Sequence, residues 1–373
     1  MRILIVSRPF AFHGGVERAT AGLLEALVAH GHDVHLLSPP GQAPVPGVAG
    51  RTLRLPPVSG AGRLLALPLA VRLAVRRRAW DVVQSHERTL DQDVYRAGEG
   101  CHRAYLDSLG ERPRRRRLYH RLVLALERRV FARTPEIVAI AERGAEEIEA
   151  LYAVSRARLS VVYNGVDLAR FHPDQRGRHR MAARAEAGLP SDAWVMLFAG
   201  SGFERKGLIT ALGALGKVAD PSSRLLVVGK GDSREYQRLA TRSGLGERIV
   251  WLGAREDIER WYAAADVLVL PTRYEPFGNV HLEALASGLP VVTTSAAGGA
   301  EAVGPGCGAV VAPGDELAMV AALETLRAGD ASTLAAAARA AAEPFTYARQ
   351  VAGFERIYRR LPAARIDSAS INR

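Results

Sequence analysis

The chain reads as an α/β protein made of two doubly wound, Rossmann-like domains. Three observations carry this. Apolar strand-like runs alternate with helix-like stretches up to Val162, and a second such series starts at Val195. The runs are continuous rather than alternating, the pattern of parallel strands covered on both faces. Glycines follow the first run of each series, Gly14-Gly15 and Gly200-Ser201-Gly202, at the turn that faces the ligand crevice of such a sheet.

The first series predicts strands at Ile3–Ser7, Val34–Ser38, Val82–Ser85, Ile137–Ile140 and Leu159–Val162, with a helix over Val16–His30 stopped by Gly31. The Pro/Gly-rich segment Pro39–Gly62 reads as a surface loop. The joint lies in Asn164–Arg184, where Asn164-Gly165-Val166-Asp167 is a turn signal. The second series predicts strands at Val195–Gly200, Leu225–Gly229, Ile249–Leu252, Val267–Pro271, Val291–Thr294 and Gly308–Val311. Two tail helices follow, Ala331–Ala342 and Tyr347–Leu361; Phe354 and Tyr358 in the second share one face. That last helix is expected to cross back, which gives a first domain of 1–170 plus 346–373 and a second of 171–345.

Among 373 residues, no apolar run approaches the roughly 20 needed to span a bilayer. The N-terminus reads as a first strand rather than a signal peptide. Two cysteines, Cys101 and Cys307, make neither a disulfide framework nor a metal-ligand spacing, which suits a reducing cytoplasm. The net charge of +11 favours anionic partners. Arginines cluster at Arg72 and Arg76–Arg78, and at Arg112 and Arg114–Arg117. Arginine and alanine abundance elsewhere also fits compositional bias. After the second cluster, Leu118, Leu122, Leu126 and Val130 recur every four residues. A basic lead-in before an amphipathic helix suits an anionic membrane surface; the alternative is a core-packed helix with a solvated loop.

Chemistry concentrates in three places. Glu275-Pro276-Phe277-Gly278-Asn279 leads into a helix carrying Glu283, so two carboxylates bracket a turn whose N–H groups suit a phosphate. Alone, the pair favours a plainer reading, one capping Glu and one solvated helical Glu. Arg205-Lys206 follows the first strand of the second domain beside Gly200, Gly202 and Gly207, where a basic pair neutralises a diphosphate. Gly14 and Gly15 allow close backbone approach to a ligand in the first domain.

These residues, with Asn164–Asp167 and Val228-Gly229-Lys230-Gly231, resemble the GT-B fold retaining glycosyltransferases of family 4 (glycosyl transferases group 1) across almost the whole chain. Gly200-Ser201-x-Phe203-x-Arg205-Lys206-Gly207 and the basic 100–133 region are most similar to lipopolysaccharide core glucosyltransferases. The resemblance implies two domains facing across a cleft. It assigns Arg205 and Lys206 to the donor diphosphate, Glu275 to sugar hydroxyls, Pro276, Phe277, Gly278 and Asn279 to backbone contacts with sugar and phosphate, Glu283 to the ribose, Gly15 (beside Gly14) to the distal phosphate, and Gly253 and Arg255 to the base. Many members carry a histidine near the reacting carbon. In Tyr95–His102 that position falls to Glu99, with His86 and His102 as competitors.

The implied reaction is front-face transfer with retained anomeric configuration, since no carboxylate pair of glycosidase type is present. The expected donor is UDP-glucose, with no separate cofactor and no metal. The expected acceptor is a lipopolysaccharide-core or lipid-linked glycan. The chain is expected to be a monomer, peripheral on the inner face of the cytoplasmic membrane through 112–133. A GDP-mannose-dependent mannosyltransferase and a non-catalytic sugar-nucleotide-binding protein are the alternatives. A nucleic-acid-binding protein fits the charge but lacks the motifs. The triplet Asp91-Gln92-Asp93, read in a helix, and the trio His30, His32 and His35 are set aside as metal sites.

Overall fold

The computed structural model describes residues 1–10, 15–56, 58, 60–75, 80–109 and 117–361. The chain divides into two compact units: Met1–Gly165 together with the chain from Tyr347 onward, and Val166–Thr346 between them.

The first unit contains β1 (Arg2–Val6), α1 (Gly15–Ala29), β2 (Asp33–Ser38), β3 (Ala49–Thr52), α2 (Ala61–Val75), β4 (Val82–Ser85), β5 (Val94–Arg96), α3 (His102–Ser108), α4 (Arg117–Arg133), β6 (Glu136–Ala139), α5 (Glu142–Tyr152) and β7 (Leu159–Val161). Its seven strands are parallel in the order β3-β2-β1-β4-β5-β6-β7. Alternate side chains reach opposite faces. Ile3 and Ile5 join the core under α1, whereas Leu4 and Val6 pack with Val71 and Val75 of α2. Both faces are apolar, which is why β1 is a continuous hydrophobic run.

The second unit contains α6 (Gln175–Glu186), β8 (Val195–Ala199), α7 (Leu208–Lys217), β9 (Arg224–Val228), α8 (Arg234–Arg242), β10 (Ile249–Gly253), α9 (Ile258–Ala264), β11 (Val267–Leu270), α10 (Val280–Ala286), β12 (Val291–Thr294), β13 (Gly308–Val311), α11 (Glu316–Ala328) and α12 (Ala331–Ala342). Its parallel sheet runs β10-β9-β8-β11-β12-β13. Met196, Phe198, Leu225, Val227, Val267 and Val269 form one face of its core. Part of the positive charge is spent internally: Arg176, Arg180 and Arg184, spaced one turn apart on α6, all pair with Asp266 at 2.7–2.9 Å.

The last helix, α13 (Tyr347–Tyr358), belongs to the first unit, where Val351, Phe354, Ile357 and Tyr358 are buried against α1 and the sheet. Two local expectations are corrected. Pro39–Gly62 contains an edge strand, β3, whose sequence Ala-Gly-Arg-Thr has no apolar run to betray it. The segment after Asp91-Gln92-Asp93 is strand β5, not helix, because its backbone pairs with both β4 and β6.

Candidate functional site

Strand order reverses direction between β8 and β11, which are hydrogen-bonded neighbours. Ligands of doubly wound sheets bind beyond the carboxyl ends of strands at such a switch point. The loop after β8 carries Arg205 and Lys206, and the loop after β11 carries Glu275. Backbone bonds lace the loops together, Arg273 N–H donating to Arg205 C=O at 2.9 Å. Arg205 and Lys206 thereby converge on Glu275, 70 and 69 positions further along the chain. Arg205 Nη1 donates to Glu275 Oε2 at 2.8 Å and to Tyr274 C=O at 2.8 Å, and Lys206 Nζ donates to the same Glu275 oxygen at 2.7 Å. Gly200 makes this possible: a Cβ there would lie 2.4 Å from Lys206 Cδ, so any larger residue blocks the lysine stem.

Glu275 is 9% exposed. Burial alone would raise its carboxyl, but Lys206 and then Arg205 outweigh this and hold it at about 2. It is therefore an ionised acceptor throughout the working range. The depressed value stabilises the fold above the unfolded carboxyl's 4.5, and this contribution disappears as pH falls through 2. It amounts to about 3 kcal/mol at neutral pH.

The turn after Glu275 is tied down from behind. Glu275 N–H donates to Ala296 C=O at 3.0 Å and Gly299 N–H to Phe277 C=O at 2.7 Å. His281, fully buried on α10, was not singled out from the sequence. Its Nδ1 bonds Gly278 C=O at 2.7 Å and its Nε2 meets Thr293 Oγ1 at 2.8 Å. Burial lowers it to about 4 against the opposing pull of Gly278 C=O, so the ring is neutral and carries its proton on Nδ1. Gly278 has φ +82°, and a Cβ there would lie 2.9 Å from His281 Nδ1 and 3.0 Å from Glu275 Cγ. Gly278→Ala is expected to lower stability in urea unfolding by roughly 1–2 kcal/mol through backbone strain. It should also raise KM for the donor by displacing Glu275. Unchanged values of both would refute this.

Asn279 precedes α10 without a side-chain cap bond to that helix, and Phe277 is buried. Glu283 is buried and accepts from Tyr262 Oη at 2.8 Å. Gly253 closes β10, and its C=O accepts from Gly229 N–H at 2.8 Å. Arg255 is already engaged: it forks onto Asp257 at 2.9 Å, pairs with Glu186 at 3.0 Å and lies over the Trp261 ring. Asp257 raises its pKa further. The expected base contact is thus a residue already held by its own loop, by the end of α6 and by α9.

In the first unit, Glu99 follows β5 and accepts from Arg8 and from Arg88 Nη1, the latter at 2.8 Å. Burial pulls its carboxyl upward, yet the two arginines hold it below the usual range. Arg88 also grips Glu127, which is 0% exposed and accepts from Tyr152 Oη and from His102 N–H at 2.8 Å. Apart from His102, these partners are not visible in the sequence: Arg8, Arg88, Glu127 and Tyr152 lack any motif. His102 meets His120 at 3.0 Å, and burial, then Arg88, lowers it to about 4. His86 is buried after β4. Gly15 opens α1, and Gly14 lies outside the described residues.

The basic run's Arg112 and Arg114–Arg116 also lie outside them. On α4 only Leu118 of the expected stripe is fully exposed; Leu126 packs on the core and Val130 is buried, so most of that helix follows the core-packed alternative. Asp91-Gln92-Asp93 is structural: Asp93 accepts from Val83 N–H at 2.8 Å and buried Gln92 bonds Thr89 and Thr134.

Residues 13–170 match the family described as "Glycosyltransferase Family 4", and residues 193–328 match "Glycosyl transferases group 1". A probable transglycosylase of Burkholderia thailandensis is 31% identical over 318 residues, covering 84% of this chain and 83% of its own. The lipopolysaccharide glucosyltransferase WaaG of Escherichia coli is 26% identical over 314 residues, 80% of this chain and 82% of its own. A crystal structure of WaaG superposes with a TM-score of 0.80 over 95% of this chain and 98% of its own, at 23% identity. Anabaena HepE in complex with UDP-glucose gives 0.74 over 96% and 99%, at 19% identity. At these identities the superpositions establish the two-sheet GT-B fold. The sequence match across most of both chains establishes more: the protein belongs to the group 1 glycosyltransferases of family 4.

Proposed function

We propose that the protein is a retaining, metal-independent hexosyltransferase that moves glucose from UDP-glucose to a lipopolysaccharide-core or lipid-linked glycan. The observation that carries this reading is the convergence of Arg205, Lys206 and Glu275 at the switch point. In the free protein Glu275 neutralises the basic pair. An arriving diphosphate competes for Arg205 and Lys206 and frees Glu275 to accept hydroxyl donors from the sugar. The two cations then stand where negative charge develops on the departing nucleotide, the arrangement that lowers a barrier most. The leaving phosphate takes the acceptor's proton, so no protein base is required. Glu283 serves the ribose, and the Pro276–Asn279 backbone the phosphate. Glu99, neutralised by two arginines, has little field left for a cationic sugar and serves to orient the acceptor.

The name of WaaG and the UDP-glucose complex of HepE support this donor over GDP-mannose. Donor hydrolysis with both nucleotide sugars tests it. Faster turnover of UDP-glucose is expected, faster turnover of GDP-mannose sinks the donor assignment, and binding without turnover in the presence of any acceptor favours a sensor.

Placement at an anionic inner membrane face rests chiefly on α2, since most of α4 is packed on the core and contributes mainly its exposed Leu118. Val71 and Val75 of α2 face the core, yet Leu65, Leu69 and Leu73, one turn apart, are 67%, 60% and 53% exposed beside Arg63 and Arg72. A helix apolar on both faces suits a lipid boundary. Replacing the three leucines by serine is expected to weaken binding to phosphatidylglycerol vesicles at least about tenfold, since each buried leucine contributes roughly 1.5–3 kcal/mol. Donor hydrolysis should be unchanged. Equal vesicle binding would exclude α2 as a contact.

A further inference from the structure

A second polar cluster lies wholly within the first unit, apart from the donor-side residues. β4 and β5 pair through Gln84↔Val94 and Ser85↔Tyr95, so His86 and Arg96 fall on the next rung. Residues two apart share a sheet face. Gln84, His86 and Arg96 therefore lie on the face of Val94, which α1 and α13 cover. Arg96 is 5% exposed and donates Nη2–H to Asn164 Oδ1 at 2.5 Å. Among the described residues it has no carboxylate partner, and burial lowers it to about 10. Gln350 of α13 reaches the same corner, its Oε1 accepting from Gly165 N–H at 3.2 Å.

Hydrogen-bond directions are fixed around this cluster. Tyr358 Oη donates to Gln84 Oε1 at 2.7 Å, so the Gln84 amide group donates to His86 Nε2 at 2.9 Å. The neutral imidazole then carries its hydrogen on Nδ1. Burial, Arg96 and Arg8 all favour that neutral form. Among the described residues, His86 Nδ1, Arg96 Nε and Gln350 Nε2 are buried with no hydrogen-bond partner. All three are donors. Buried donors without acceptors are unfavourable, and a guanidinium without an anion more so. An oxyanion is the acceptor such donors, one of them a guanidinium, take best.

We propose that Arg96, His86 and Gln350 form an oxyanion-binding subsite at the carboxyl edge of the first sheet, taking a phosphate or carboxylate group. The turn bearing Glu99 covers it: a Cβ at Gly98 would lie 2.5 Å from Arg96 Nη1. An entering oxyanion displaces that turn and so couples this subsite to Glu99. The binding itself stands apart from the donor reading; that the oxyanion belongs to the acceptor rests on it.

The test uses the full chain carrying Arg205→Ala and Lys206→Ala, so that phosphate has no donor-side anchor there. Inorganic phosphate and, separately, acetate are titrated at constant ionic strength, with equilibrium dialysis and thermal unfolding as readouts. One anion bound per chain with a raised Tm is expected; preference for phosphate or for acetate identifies the group. Adding Arg96→Met should weaken binding at least tenfold, and Gln350→Leu, a milder change that keeps the helix packed, several-fold. No binding of either anion overturns the proposal, as does undiminished binding in the Arg96→Met or, should that chain not fold, the Gln350→Leu protein. Loss of UDP-glucose turnover in the starting double variant bears on the donor reading alone.

Discussion

Lys206→Ala is expected to lower kcat by about 10²–10³, the range for removing one preorganised partner of developing charge, with a smaller change in KM. Lys206 is 7% exposed, so solvent screens its charge little. If it acts on the departing nucleotide, its loss appears in kcat and kcat/KM together; a loss confined to KM would mean uniform binding of donor and transition state. The same substitution should alter the pH profile. Lys206 is the larger of the two influences holding Glu275 at about 2 against burial. Without it the carboxyl rises, and the acid limb of activity moves to higher pH. A profile that stays put would dissociate Glu275 from the reaction. Arg205 still pairs with Glu275 in the variant, so the fold should persist.

Glu127→Ala is expected to destabilise the first unit by about 3–5 kcal/mol, the cost of stripping one partner from a buried ion pair. Glu127 is 0% exposed and satisfies Arg88 through Nε and Nη2, together with His102 N–H and Tyr152 Oη. Its removal leaves a nearly buried guanidinium with, among the described residues, only the half-exposed Glu99 as a charged partner. Amide exchange should show protection falling in residues 117–161 while 195–270 keeps theirs. Because Arg88 also holds Glu99, acceptor use should suffer more than donor hydrolysis. Glu127→Gln, which keeps acceptor capacity but not charge, should cost less; equal damage would place the effect in packing instead.

The fold was legible because both sheets are parallel and buried on both faces, which writes each strand as an uninterrupted apolar run. Where burial fails, so does the pattern. Strand β3 is an edge with mostly exposed residues, and β5 is three residues long, ends in a buried arginine and follows two aspartates. Helix α4 shows a different limit. Its periodicity was read correctly as a stripe, but period alone does not say whether the stripe meets lipid or protein. On the second unit, glycines and charges were visible as motifs, whereas their mutual neutralisation was not, because Arg205 and Glu275 are brought together only by the pairing of β8 with β11. His281 was passed over for the same reason: its anchor, Thr293, lies on another strand.

The return of α13 to the first unit has a consequence for the order in which the protein is made. The first unit is discontinuous in the chain, with the second inserted into it. Val351, Phe354, Ile357 and Tyr358 fill its core, yet they leave the ribosome only after all 181 residues of Val166–Thr346. The second unit has its whole sequence in hand first. At roughly 5–20 residues per second, the first sheet waits on the order of ten to forty seconds for its final helix. During that interval the core shared with α1 lacks the four side chains that complete it.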